Sequence, residues 1–173
     1  YEVAKDAFDK YAQRFNNGVF INDATYYNAI SSLRIGDTIS AVLNYTKVVE
    51  DSSSFFQENA LIFLARRSFN LGDYEKSNIY YSRLWDFASS NSIKRETVIR
   101  LMIGNEYADR IVALEYAKQV VDFDKIDNWL LSKAYIIIAR NEFESGNYAK
   151  AKLTFEGVSK LSFYDEGAEA KYY

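Results

Sequence analysis

The sequence predicts an all-α chain made of repeated helix pairs, and three observations carry that reading. Fifteen Tyr and twelve Phe stand beside no Pro and only seven Gly in 173 residues, whereas strand-and-turn architectures need more Gly and Pro at their turns. A motif also returns at a fixed interval. Ile35-Gly36-Asp37, followed by Ala41, Tyr45 and Val48, reappears 36 residues later as Leu71-Gly72-Asp73, followed by Ser77, Tyr81 and Leu84. After another 36 stand Ala108-Asp109, Ala113, Ala117 and Val120, and 38 further come Gly146-Asn147, Ala151, Phe155 and Val158; periods of this size mark stacked repeats. Finally, apolar and small residues recur at helical spacing ahead of each turn, as in Tyr26, Ala29, Ile30 and Leu33, or Leu61, Leu64, Ala65 and Phe69.

The elements follow from the N-terminus. Tyr1, Ala4, Phe8 and Tyr11 match the second half of a repeat and predict a helix over 2–15. Four full repeats come next, with helix pairs at 22–35 and 38–50, 55–70 and 74–89, 93–106 and 109–122, and 128–145 and 148–161; a last helix at 166–173 opens a further repeat. Gly36, Gly72 and Gly146 supply the left-handed residue that ends the first helix of a pair. Asp37, Asp73 and Asn147 stand where a side chain caps the second. The third pair is irregular: Ala108 replaces the turn glycine, and Gly104 falls inside the predicted helix at a cost of about 1 kcal/mol against Ala, which would let that helix end early. The repeats occupy 1–21 (half), 22–57, 58–93, 94–131, 132–164 and 165–173 (half) of a single domain, which reads as a piece of a longer array. The half-repeats expose Tyr172 and Tyr173 at one end and Phe8 and Tyr11 at the other as candidates for self-association.

Composition excludes much chemistry. Without Cys or His there is no disulfide framework, no thiolate or imidazole metal site and no Ser-His or Cys-His nucleophile; no cofactor or metal is expected. A formal charge of −3 argues against nucleic acid, whose phosphates need a cationic face. The longest apolar run is Ala134 to Ala139, far short of the roughly 18 to 20 residues that span a bilayer.

The residues at the turns and helix crossings resemble the tetratricopeptide repeat family, whose unit of about 34 residues has a small residue in its first helix, a turn Gly, an aromatic soon after it, Ala early in its second helix and an aromatic one turn on. Tyr135, Ala139, Gly146, Tyr148, Ala151 and Phe155 match best, with Ala29, Gly36, Ala41 and Tyr45, and Ala65, Gly72, Tyr74, Ser77 and Tyr81, as further copies. The resemblance covers the whole chain, although no copy has the Pro that usually ends the unit. It implies a right-handed superhelical solenoid, and a non-catalytic scaffold that holds a peptide or loop of a partner protein in its concave groove. Phe8-x-x-Tyr11 and Asp165-Glu166-Gly167-Ala168-Glu169-Ala170 look like the branch of the family found in bacterial cell-envelope assembly proteins, which implies a periplasmic or envelope location; a generic member of any compartment fits equally.

Carried across from the family, the groove-facing positions are Asp23, Tyr26, Ile30, Leu33 and Arg34, then Asn59, Ile62, Arg66, Phe69 and Asn70. The third copy gives Arg95, Val98, Met102, Asn105 and Glu106, and the fourth Lys133, Ile136, Arg140, Phe143 and Glu144. Arg34, Arg66, Arg95, Lys133 and Arg140, interleaved with Asn59, Asn70, Phe69 and Phe143, suit a peptide with acidic groups or a free C-terminal carboxylate. Arg66 and Arg140 would anchor it, and Asn70 and Lys133 would orient it. The same residues also fit a solvated helix face. Asp122, Asp124 and Asp127 lack the Gly and Glu of a Ca²⁺ loop and read as helix caps. The Asn44-Tyr45-Thr46 glycosylation triplet falls within a helix. Glu142 and Glu144 point about 200° apart and cannot flank one bond. Trp85 and Trp129 read as packing residues. The competing reading is an all-helical toroidal enzyme acting on glycans, which would need long loops, whereas the widest here are Phe15 to Ile21, Ser52 to Ser54 and Asp122 to Asn128.

Overall fold

A computed structural model describes residues 1–51, 54–161 and 165–173. Among them are ten helices and no strand: α1 (Glu2–Arg14), α2 (Ile21–Arg34), α3 (Thr38–Glu50), α4 (Gln57–Asn70), α5 (Tyr74–Phe87), α6 (Asn91–Asn105), α7 (Arg110–Val121), α8 (Asn128–Glu144), α9 (Tyr148–Leu161) and α10 (Asp165–Tyr172). Ser52 and Ser53 of the predicted loop, and the predicted repeat boundary at residue 164, lie outside the described residues.

The turns inside the pairs close by one mechanism. Gly36, Gly72 and Gly146 have φ of 82°, 74° and 78°, and the next residue donates its N–H back into the last helical turn, Asp37 to Ser32 O, Asp73 to Ser68 O and Asn147 to Glu142 O, at 2.9–3.0 Å. This satisfies carbonyls that the helix end would otherwise leave unpaired. Asp37 and Asp73 then accept from Ser40 N and Lys76 N, capping α3 and α5. In the third pair Asp109 caps α7 by accepting from Ile111 N and Val112 N, so the pair forms without a turn glycine. Gly104 does not end α6 early: the helix runs to Asn105, and Gly104 is buried within it.

The helices fall into two compact units, Tyr1–Ser89 and Ser90–Tyr173. In each, consecutive helices pack on one another. The small residues assigned to the helix crossings are interior: Ala29, Ala41, Ala65, Ser77, Ala113, Ala139 and Ala151 are buried, as close approach of two helix backbones requires.

In the first unit aromatic rings fill the space between pairs. Tyr26 stacks on Phe56 with centroids 4.1 Å apart, and Tyr45 packs against Tyr26 and Phe63. Polar groups tie the same layers. Buried Asn28 donates to Asp9 of α1 and accepts from Ser32 and from Asn44 of α3, so Asn44 is spent inside the fold rather than presented for glycosylation. In the second unit one core lies between α6, α7 and α8 around Met102, Val120 and Ala134, and another between α8, α9 and α10 around Ile136, Phe155, Val158 and Ala170. Trp85 and Trp129, expected as packing residues, are instead 41% and 43% exposed; Trp129 stands beneath the Lys133 ammonium at 6.0 Å.

Candidate functional site

Within the first unit, α4 brings four of its five carried groove positions to one depression. Asn59, Ile62, Arg66 and Asn70 line a hollow of about 550 Å³ with Leu33 from the end of α2. Their spacing along α4 is that of a single helix face. Phe63 and Leu71 complete an apolar floor, and Arg67 adds a second guanidinium that sequence reasoning missed. Arg66, Asn59 and Asn70 are exposed. Burial holds the Tyr26 hydroxyl above its usual range, and the neighbouring Asn59 side chain partly offsets that. Phe69 turns away and meets Tyr74 edge-on at 5.2 Å. Two guanidiniums and two amides over apolar carbon supply the donors and the apolar contact that a carboxylate beside an apolar side chain would need.

In the second unit the chain's own carboxylates occupy Arg140 and Lys133. Arg140 on α8 donates from Nε and Nη2 to the two oxygens of Glu169 on α10, each at 2.5 Å, and from Nη1 to Glu106 at 3.1 Å. Lys133 lies 3.0 Å from Glu106 and 3.5 Å from Glu166. The bidentate bond to Glu169 and the neighbouring negative charges, against the opposing effect of burial, hold the Arg140 guanidinium above its usual range. Burial pulls Lys133 down, but the bond to Glu106 and the charges of Glu106 and Glu166 outweigh it and raise its pKa.

Val98, Met102 and Ile136, also carried across as groove positions, are core residues. Ile136 is enclosed because it joins the cluster that contains Ala170 of α10. At Ile136 the face that resemblance assigned to a partner is therefore covered by the chain's own α10.

The remaining candidates separate. Arg95 donates to the backbone carbonyls of Asp124 and Lys125 and lies over the Phe123 ring at 4.7 Å, so it pins the α7–α8 loop. Lys125 there has φ of 54°, and Asp127 caps α8 by accepting from Leu130 N. Arg34 lies over the Tyr1 ring at 5.8 Å. Phe143 packs edge-on against Tyr148 and Tyr173. Glu142 is buried between Lys150 and Thr154, whereas Glu144 pairs with Arg110; they do not act together. Among the described residues no group of three or more acidic side chains is placed to hold a metal ion, and no helix is long and apolar enough to cross a membrane.

The pairings missed in the sequence had a signal there. Glu106 with Arg140 and Arg110 with Glu144 are both 34 residues apart, close to the repeat length, so opposite charges about one repeat apart meet: Glu106 at the end of α6 with Arg140 on α8, and Arg110 at the start of α7 with Glu144 at the end of α8. No known protein family matches the chain, and no curated protein does either.

Proposed function

We propose that the chain is a non-catalytic, tetratricopeptide-like scaffold that binds a partner peptide through the first unit, in the depression on α4. The observation that carries this reading is the convergence of Arg66, Arg67, Asn59 and Asn70 over Ile62, Phe63 and Leu33. The ligand is a peptide whose carboxylate, at a free C-terminus or on an acidic side chain, lies against an apolar residue. Arg66 anchors the carboxylate and Asn70 orients the adjoining backbone. Lys133 and Arg140 serve the second unit's own structure. On this reading the helix pairs continue as a superhelical array, and the envelope resemblance makes an assembly complex of that compartment the natural setting.

A fluorescein-labelled peptide ending in leucine and aspartate with a free C-terminal carboxylate, titrated against the chain, tests the proposal. The amidated, aspartate-to-asparagine version should bind at least about tenfold more weakly, since each charged hydrogen bond contributes roughly 1.5 to 3 kcal/mol when desolvated. Equal binding of the two peptides would show that the hollow does not recognise a carboxylate.

A further inference from the structure

A second surface, on the opposite helix type of the second unit, points to a different partner. Lys150, Leu153, Thr154, Gly157, Lys160 and Leu161 of α9 form one continuous stripe at helical spacing, lining a groove of about 650 Å³ whose wall is Tyr135 of α8 and whose floor includes Val158. Lys150 opens the stripe and Lys160 stands one residue before its end at Leu161, with Leu153 and Thr154 on one side of Gly157 between them.

Gly157 is unexplained by the chain itself. It lies mid-helix, where glycine is unfavourable relative to alanine, and it is not among the glycines with positive φ. A Cβ built there meets nothing within 4 Å. Neither backbone conformation nor internal packing requires it.

The other repeats show what this stripe ordinarily looks like. Aligning the second helices on Ala41, Ser77, Ala113 and Ala151 places Lys47, Arg83 and Gln119 opposite Gly157, and Glu50, Asp86 and Asp122 opposite Lys160. The long side chain has a use in α5, where Arg83 donates to Val49 O at 2.8 Å. Only α9 replaces the long polar residue with glycine and the acid with a lysine. These two departures, one of shape and one of charge, fall on the same groove.

We propose that the α9 groove docks an amphipathic helix of a partner protein, crossing over Gly157 with a small residue. Its apolar side chains fill the space beside Leu153, Val158 and Tyr135, and acidic residues near its two ends face Lys160 and the exposed side of Lys150, whose ammonium also pairs with Glu142 of α8 at 2.9 Å. The two lysines are ten positions apart in the sequence, about 15 Å along a helix axis, which sets the spacing of the acids at about three turns. A helix is the occupant because a glycine at a crossing lets two helix backbones approach closely, and its acids match the sign of the rim. This site is separate from the α4 depression and does not rest on it.

The probe is a stapled, fluorescein-labelled helix about four turns long, with leucines on one face, a central alanine and glutamates at both ends, titrated into the full chain by fluorescence anisotropy. A control peptide carries lysines in place of the glutamates. The glutamate peptide should bind at least about tenfold more tightly than the control. Gly157→Leu, which fills the crossing point, and Lys160→Asp, which restores the acid of the other repeats, should each weaken it by a similar factor. Circular dichroism melts at or above the parent's for Gly157→Leu would show that lost binding is not lost folding; Gly157→Gln, the residue of the third repeat, provides a second probe should leucine disturb the fold. Equal binding of the two peptides, or binding untouched by Gly157→Leu, overturns the proposal. So does binding of dodecanoate with neither peptide bound, which would assign the groove to a single-chain lipid. A dimer in sedimentation that Gly157→Leu abolishes would assign it to a second copy and equally overturn the proposal.

Discussion

Arg140→Ala should destabilise the second unit by about 2 kcal/mol. The Glu106 side chain is only 4% exposed, while Arg140 and Glu169 are 26% and 27% exposed. Removing one partner of a fully buried pair costs about 3 to 5 kcal/mol, chiefly because the other charge is left unpaired. Two features reduce that figure here: a quarter of the guanidinium and of Glu169 is solvated, and Glu106 keeps Lys133 at 3.0 Å. Glu169→Gln, which retains one acceptor, should cost about 1 kcal/mol. Because the two residues are in direct contact, the double variant should lose less than the sum of the singles. Urea unfolding gives the energies, and amide exchange of α8 and α10 localises the loss to the second unit. A loss below about 0.5 kcal/mol for Arg140→Ala, the range of solvent-exposed pairs, would refute the claim that α10 is held by this network.

Other outcomes follow from the same structure. Ala151→Leu should cost about 1 to 3 kcal/mol by overpacking the α8–α9 crossing, and an unchanged melting temperature would contradict the burial described. Gly157→Ala should stabilise by about 1 kcal/mol through helix propensity. Gly72→Ala should destabilise by a similar amount, because φ of 74° strains any Cβ although the space is open; thermal melts of the pair distinguish conformation from packing. Stability should fall on the alkaline side. Burial pushes the Tyr45 hydroxyl up to about 12, and Lys133 is raised above the ordinary lysine value of 10.5. A raised folded-state pKa contributes stability that is complete below the unfolded value and lost as pH rises through the folded one. Urea midpoints should therefore hold up to about pH 10 and drop towards pH 12, and a flat profile there would count against both assignments.

The helical pattern was legible because each local signal was strong and acted alone. Gly36, Gly72 and Gly146 ended helices where their conformational freedom is needed, and Asp37 and Asp73 began the next by their own side chains. All ten expected helices appear, with ends displaced by no more than two residues, and even the third pair formed once Asp109 supplied the cap. The site was less legible, because exposure depends on what a neighbouring helix does. Ile136 and Arg140 stand at positions that would face a groove, yet α10 brings Ala170 and Glu169 onto them, which nothing within α8 itself announces. On α4 the corresponding Ile62 and Arg66 line an open hollow. Trp85 and Trp129 read as packing residues in the sequence, yet they are 41% and 43% exposed.

Arg66 lines the α4 hollow, whereas Arg140 bonds Glu169 and Glu106 inside the second unit, and one paired comparison tests their separate roles most directly. Arg66→Ala and Arg140→Ala are each measured for thermal stability and for binding of the labelled carboxylate peptide, at low and high salt. Arg66→Ala should bind at least about tenfold more weakly than the parent, with a smaller drop in melting temperature than Arg140→Ala, which, at a temperature where it is folded, should bind like the parent. Undiminished binding by Arg66→Ala, with binding lost in Arg140→Ala at unchanged stability, would contradict those roles.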